Sequence, residues 1–358
     1  GRGRRRRAPR LAHRGGDRGA AGARGNAVSA PRTGGAPLVL DGLCVEIDGM
    51  PIVDDLSLEV GAGETVALVG ESGCGKSMTA LAAMGLLPAA ARRDARSLRI
   101  VGTETAALAE EEMQRLRGDA IAMIFQEPVS SLNPLMRVGA QIVEALQVHR
   151  GVDTQAAREA AVEMLDRVGI PDPRSRAAQY PFELSGGMCQ RVMIAIALIC
   201  RPAILIADEP TTALDVTIQA QILDLMRSLA DETGTALLLI THDMGVVADM
   251  ADRVAVMYAG RIVETAPVRT LFARQRHPYT RLLLGTMPRL DGPAGTRLPV
   301  IEGRVPDMRT LPRGCRFHPR CPLAAARCRS EAPPLAPAPG DGDHHSACWF
   351  PDAAESVA

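Results

Sequence analysis

The chain has 358 residues, no net formal charge at pH 7, 46% hydrophobic residues and only 3% aromatics. That length supports one large domain and a smaller one, with a core filled by Leu, Val, Ile, Ala and Met rather than by rings. No run approaches the roughly 18–20 apolar residues that span a bilayer; the longest candidate, "VMIAIALIC" at 192–200, reads as a buried helix, so no transmembrane helix is expected.

In chain order, residues 1–36 hold ten arginines against one acid, Asp17, a local charge of about +9 that leaves about −9 on residues 37–358. A basic Gly/Ala/Arg-rich stretch cannot bury enough apolar surface to order itself. Disorder is expected there, with an arm for anionic lipid or nucleic acid as the sharper alternative. It contains no apolar h-region and does not read as a secretory signal; whether it belongs to the mature protein is left open. Residues 38–47, "LVLDGLCVEI", and 56–60, "LSLEV", read as strands separated by the turn "DGMP". "TVALV" (65–69) is a continuous apolar run ending at Gly70, the pattern of a fully buried parallel strand. A helix is predicted from near Lys76 through "MTALAAMGLL" to Pro88. Ala157, Ala161, Leu165 and Val168 recur at helical spacing over 155–168, closed by Gly169 and Pro171. "AILIAD" (203–208) and "ALLLIT" (236–241) are two more buried strands, with a helical stretch at 216–230 between them. Strands alternating with helices imply an α/β core with a parallel sheet. After residue 265 Pro, Arg and Gly become frequent and periodicity fades, which places a boundary there and a small irregular Cys-rich domain at 266–358.

The stretch "GESGCGKS", Gly70, Glu71, Ser72, Gly73, Cys74, Gly75, Lys76 and Ser77, fits G-x-x-x-x-G-K-[ST] after a strand and at the opening of a helix. Its backbone N–H groups and the helix dipole suit phosphates. Lys76 is expected to reach the β/γ-phosphates and Ser77 to ligate Mg²⁺. Lys76 is also the single lysine in a chain with 40 arginines. "ILIADEP" (204–210) supplies Asp208 at a strand end, suited to Mg²⁺, and Glu209 beside it, suited to polarising the attacking water. "LSGGMCQR" (184–191) sets Ser185, Gly186 and Gly187 before a helix, a second phosphate-binding terminus. "THD" (241–243) ends a strand on His242, a donor towards a γ-phosphate.

With Gln126 in "IFQEP" and Asp215 in "ALD", these motifs resemble the ATP-binding-cassette (ABC) ATPases across roughly 38–265. The resemblance implies a P-loop, RecA-like core at 37–265 with an inserted α-helical subdomain at about 127–195. It implies an ATPase converting ATP and water to ADP and phosphate, with Glu209 as general base, His242 on the γ-phosphate and Gln126 sensing Mg²⁺ and water. Ser185, Gly186 and Gly187 would act across a dimer interface, on ATP held by a second cassette subunit, and Asp215 is implied as a further cofactor-binding residue. One departure stands out: the zone that usually stacks an aromatic on adenine reads "IDGMPIVDD", leaving Met50 or Ile52 to pack against the base. "FQEPVSSLNPLMRVGAQIVEAL" (125–146), Met188 after "LSGG" and "HPYTRLLLGTMP" (277–288) are similar to the peptide-importer branch, which carries dipeptides, oligopeptides and sometimes nickel. Two integral membrane permease subunits, an extracytoplasmic peptide-binding protein and a place on the cytoplasmic face of a bacterial inner membrane are implied. No specific nucleic acid is expected; a soluble cassette ATPase acting on ribosomes or nucleic acid is the rival class.

Cys315, Cys321, Cys328 and Cys348 are spaced C-x5-C-x6-C-x19-C. Structural zinc sites usually begin C-x2-4-C, whereas four thiolates are the ordinary ligands of a [4Fe–4S] cluster. Spacing alone leaves iron–sulfur, zinc and free thiols open. Similar tails in the peptide-importer branch imply [4Fe–4S]. His318, His344 and His345 read as exposed loop residues, Cys44, Cys189 and Cys200 as small apolar fillers, and Cys74 as an oxidation-sensitive thiol favoured by Lys76 and the loop dipole.

Overall fold

A computed structural model of the chain describes residues 35–212, 215–287 and 300–356. The stretch expected to be disordered lies outside the described residues, apart from Gly35 and Ala36. Among the described residues the strands are β1 (Leu38–Ile47), β2 (Met50–Val60), β3 (Thr65–Val69), β4 (Ala91–Asp94), β5 (Ser97–Ile100), β6 (Thr103–Glu104), β7 (Ile121–Ile124), β8 (Ile204–Asp208), β9 (Ala236–Thr241), β10 (Arg253–Tyr258), β11 (Arg261–Pro267), β12 (Ala336–Ala338) and β13 (Asp341–Ser346). A first, antiparallel sheet is built on β1, which pairs with β2, β4 and β5, with β6 added to β5. Here β2 begins at Met50, earlier than the pattern suggests. Asp48 and Gly49 both take positive φ and close a two-residue hairpin that pairs Ile47 directly with Met50.

The second sheet runs β12-β13-β11-β10-β3-β9-β8-β7. Within it β10, β3, β9, β8 and β7 are parallel. The unbroken apolar runs serve two faces by alternation. Ile204, Ile206, Leu238 and Ile240 face the first sheet and the helix Lys76–Met84. Leu205, Ala207, Leu237 and Leu239 face the helices Gly186–Leu198 and Val216–Thr233. Each large side chain among them, fully buried, contributes roughly 1.5–3 kcal/mol. This is the α/β core that the alternating pattern predicts. Between β7 and β8 the chain is helical, with Val138–Arg150, Thr154–Arg167, Pro173–Ala177 and Gly186–Leu198 packed together. Asp153 caps the second of these by accepting from Gln155 and Ala156 N–H, and its buried stripe includes Ala157, Ala161 and Leu165. Among the described residues no helix is long and apolar enough to cross a membrane.

The chain after residue 265 remains joined to this sheet, because β13 pairs with β11 and β12 with β13. The fastening is polar and buried. Glu264, fully inaccessible, accepts from Arg276 N–H at 2.6 Å, His277 N–H at 3.0 Å and the His344 ring at 2.7 Å. A buried carboxylate needs such partners. His344 is therefore a core residue, not the exposed loop histidine expected from its polar surroundings. His277 Nδ1 accepts the Tyr279 N–H at 3.1 Å and so caps the helix Pro278–Gly285. Burial pushes the His277 pKa down to about 4, against the opposing pull of Glu264.

Candidate active site

Four loops leave the C-terminal ends of the neighbouring strands β3, β9, β8 and β7, the edge where open α/β sheets gather their ligands. The loop after β3 runs from Gly70 to Gly75 and opens the helix Lys76–Met84. Its glycines serve different ends. A Cβ on Gly70 would lie 2.2 Å from the Met257 carbonyl oxygen, so close packing against β10 requires glycine. Gly73 takes φ 77° with nothing within 4 Å of its missing Cβ, an open face that an incoming group can approach. Ser72 is exposed beside it. Lys76, 5% exposed, donates to Gly70 O at 2.8 Å and Glu71 O at 3.1 Å.

Asp208 ends β8 with its carboxylate facing Ser77, and burial raises its pKa. Its Oδ1 is buried without a hydrogen-bond partner, an arrangement suited to a divalent cation. Glu209 follows with φ 46°, a backbone conformation that costs a non-glycine residue on the order of 1–3 kcal/mol and is concentrated at functional sites. Glu209 Oε2 accepts from Gln126 Nε2 at 3.1 Å and from Thr212 Oγ1 at 3.0 Å. Its Oε1 lies 3.3 Å from His242 Nδ1. Loops after β7, β8 and β9 thus converge on one carboxylate. Thr212 carries no motif signal and was not legible beforehand.

The sequence profile of the ABC transporter family matches residues 53–212, and that of the oligopeptide/dipeptide transporter C-terminal region matches 263–328. A Brucella melitensis protein provisionally named as a peptide import ATP-binding protein is 56% identical over 298 residues, covering 79% of this chain and 87% of its own. The chain belongs to the ABC transporter family. Oligopeptide transport ATP-binding protein OppD of Escherichia coli is 53% identical over 283 residues, 79% of this chain and 83% of its own. Among solved structures, the dimeric, post-hydrolysis ATP-binding cassette MJ0796 bound to ADP and Pi matches with a TM-score of 0.59 and 28% identity, over 65% of this chain and 99% of that one. The fold is that of an ABC ATPase cassette, and the chain is an ATPase of that family.

Other expected residues of the cassette lie apart from this cluster. Ser185 caps the helix Gly186–Leu198 by accepting from Met188 N–H, leaving Gly186 exposed and Gly187 half-buried at its start. That helix packs into a different core from the phosphate-loop helix. Asp215 caps Val216–Thr233 by accepting from Ile218 N–H at 3.0 Å; Ala213 and Leu214 of the same motif lie outside the described residues. At the strand expected to meet the base, Met50 Sδ accepts from Arg309 Nε at 3.2 Å, while the Ile52 carbonyl abuts Gly75 and Gly260. Cys74 corrects an expectation. It is fully buried, and desolvation raises its pKa more than Lys76 lowers it, so it is not an oxidation-prone thiolate.

In the C-terminal segment Cys315, Cys321, Cys328 and Cys348 all line one small cavity, joined by His277, His318, Phe317 and Trp349. All four thiols are free. Burial, then neighbouring thiols, pushes Cys321 up to about 11, while burial chiefly pushes Cys348 up to about 12. Among the described residues no group of three or more His, Cys, Asp or Glu is spaced to hold a single metal ion.

Proposed function

We propose that this chain is the ATP-hydrolysing subunit that powers import of dipeptides or oligopeptides through a membrane ABC transporter. The observation that carries the reading is the Glu209 carboxylate, reached by Gln126, Thr212 and His242 from three loops next to the strand end at Asp208. A carboxylate aimed in this way is placed to take a proton from a water bound beside it. In this reading Gly70, Glu71, Ser72, Gly73, Cys74 and Gly75 wrap the phosphates with their backbone. Lys76 moves from loop carbonyls to the γ-phosphate, Ser77, Asp208 and Gln126 hold Mg²⁺, Glu209 takes the proton of the attacking water, and His242 donates to the γ-phosphate. Ser185, Gly186 and Gly187 reach ATP on a second cassette subunit, consistent with the dimeric state of MJ0796, and Asp215 serves the cofactor site from the start of the helix Val216–Thr233.

Partners follow from the same reading. Leu135, Phe182 and Val129 are 85%, 71% and 53% exposed in the region after Gln126 and before the Ser185 helix, apolar side chains open to contact with two integral membrane permease subunits. The chain would then sit on the cytoplasmic face of the inner membrane, with a peptide-binding protein on the far side. Affinity purification from membranes should recover the chain with hydrophobic permease subunits; recovery with ribosomes or DNA instead would sink the importer reading.

Four cysteines lining one cavity are the ordinary ligand set of a [4Fe–4S] cluster, and that is the group we propose for them. Cys315, Cys321, Cys328 and Cys348 would hold it, losing protons as they bind, and it would cross-link the 315–328 segment to residue 348. Anaerobic purification should give a brown protein that loses its colour on Cys315→Ser. A colourless wild type with stoichiometric zinc contradicts the assignment.

A further inference from the structure

Glu71, the second residue of the phosphate loop, is tied at three groups. Its N–H donates to the Tyr279 hydroxyl at 2.9 Å, and its carbonyl accepts from Lys76 at 3.1 Å. Its carboxylate takes a two-pronged salt bridge from Arg320, at 2.7 Å from Nη1 to Oε2 and 3.0 Å from Nη2 to Oε1. Two of the three ties therefore come from beyond residue 265.

Arg320 is itself held rigidly. Its side chain is 4% exposed. It donates to Glu302 O at 2.9 Å and Ile301 O at 3.2 Å, and lies 5.8 Å from the Tyr258 ring centroid and 6.0 Å from that of Phe317. Those rings pack with Tyr279 at centroid distances of 4.7–5.4 Å. One turn earlier, Arg316 donates to Ala259 O and pairs with Asp54, while the adjoining Gly260 N–H donates to Cys74 O at 2.9 Å. Arg316 and Arg320 are the sequence neighbours of Cys315 and Cys321. The cysteine-rich segment thus holds the phosphate loop directly at Glu71 through Arg320, and through Arg316 it braces the turn that holds Cys74.

When a nucleotide enters, Lys76 must release the Gly70 and Glu71 carbonyls to reach phosphate. The loop then relies on its remaining ties. We propose that Arg320 is a positioning residue of the nucleotide site: through Glu71 it holds the phosphate loop in its phosphate-accepting shape and makes the cysteine-rich segment part of the ATP-binding machinery. The inference rests on the loop being the ATP site. A bidentate charge pair supplies both energy and direction. Loop position affects ground state and transition state alike, so its loss acts on KM rather than on kcat.

The test is equilibrium binding of a fluorescent ATP analogue, together with steady-state ATPase kinetics, on the full-length protein. Arg320→Ala and Glu71→Gln should each raise Kd and KM by about ten- to a hundredfold, as for a lost charge-assisted bond, with kcat changed much less. Arg320→Lys should fall between them and wild type. The Arg320→Ala/Glu71→Gln double variant should bind no worse than the weaker single, the signature of a shared interaction. Unchanged Kd in the folded single variants, or a fall in kcat at unchanged Kd, overturns the proposal. So does strict additivity. If Arg320→Ala does not fold, Arg320→Lys and Glu71→Gln carry the same comparison. A wild type that fails to bind the analogue overturns the ATP-site reading itself, a result distinct from any loss confined to the variants.

Discussion

Glu209→Gln is expected to retain ATP binding and lose turnover by about 10²–10⁴-fold, the contribution of a positioned general base. The two side chains are nearly isosteric, so the left-handed backbone at residue 209 carries no added strain. An amide oxygen can still accept from Gln126 or Thr212, which keeps the three loops together. Lys76, Ser77 and Asp208 are untouched, and so is the affinity for Mg²⁺–ATP. What disappears is the capacity to take a proton. Single-turnover hydrolysis with parallel ATP binding separates the two: unchanged turnover would remove Glu209 from the chemistry, and lost binding would make it a structural residue.

Lys76→Arg is expected to lower ATPase activity by about 10²–10³-fold, comparable to losing one preorganised charge from a transition state. The reason is shape rather than charge. The Lys76 ammonium reaches between the Gly70 and Glu71 carbonyls while 5% exposed. At its start the loop is pressed against β10, where a Cβ on Gly70 would meet the Met257 oxygen at 2.2 Å. A guanidinium is wide, planar and demanding in geometry, whereas an ammonium is a point charge on a thin stem. In a chain of 40 arginines and one lysine, this is where the exchange should cost most. Near-normal activity of the variant, measured as kcat at saturating ATP, would show that charge alone suffices.

Much of the local architecture of the candidate site was legible because each part is local. A strand, a glycine loop and a helix lie consecutively in sequence around Lys76, and Asp208 and His242 close apolar runs whose burial could be read directly. What escaped depends on contacts between distant segments. Arg320 meets Glu71 across 249 positions, and neither residue departs from ordinary loop composition. His344 looked like a solvent-facing histidine in "DGDHHS" until β13 paired with β11 and brought it to Glu264. "HPYT" read only as a likeness to a transporter branch. In the fold, His277 caps a helix and Tyr279 reaches the phosphate loop. Cys74 failed for the opposite reason: its neighbour Lys76 was visible, but the burial that outweighs it was not.

The central claim, that hydrolysis at Glu209 drives peptide import, is tested most directly by transport itself. The chain would be purified with its permease subunits, reconstituted in vesicles with the peptide-binding protein and a labelled oligopeptide, and uptake followed with and without ATP. The wild type should accumulate peptide only with Mg²⁺–ATP, and Glu209→Gln should bind ATP and accumulate none. ATP-independent uptake, uptake sustained by Glu209→Gln, or brisk ATP hydrolysis by the wild-type complex with no peptide movement would contradict the account.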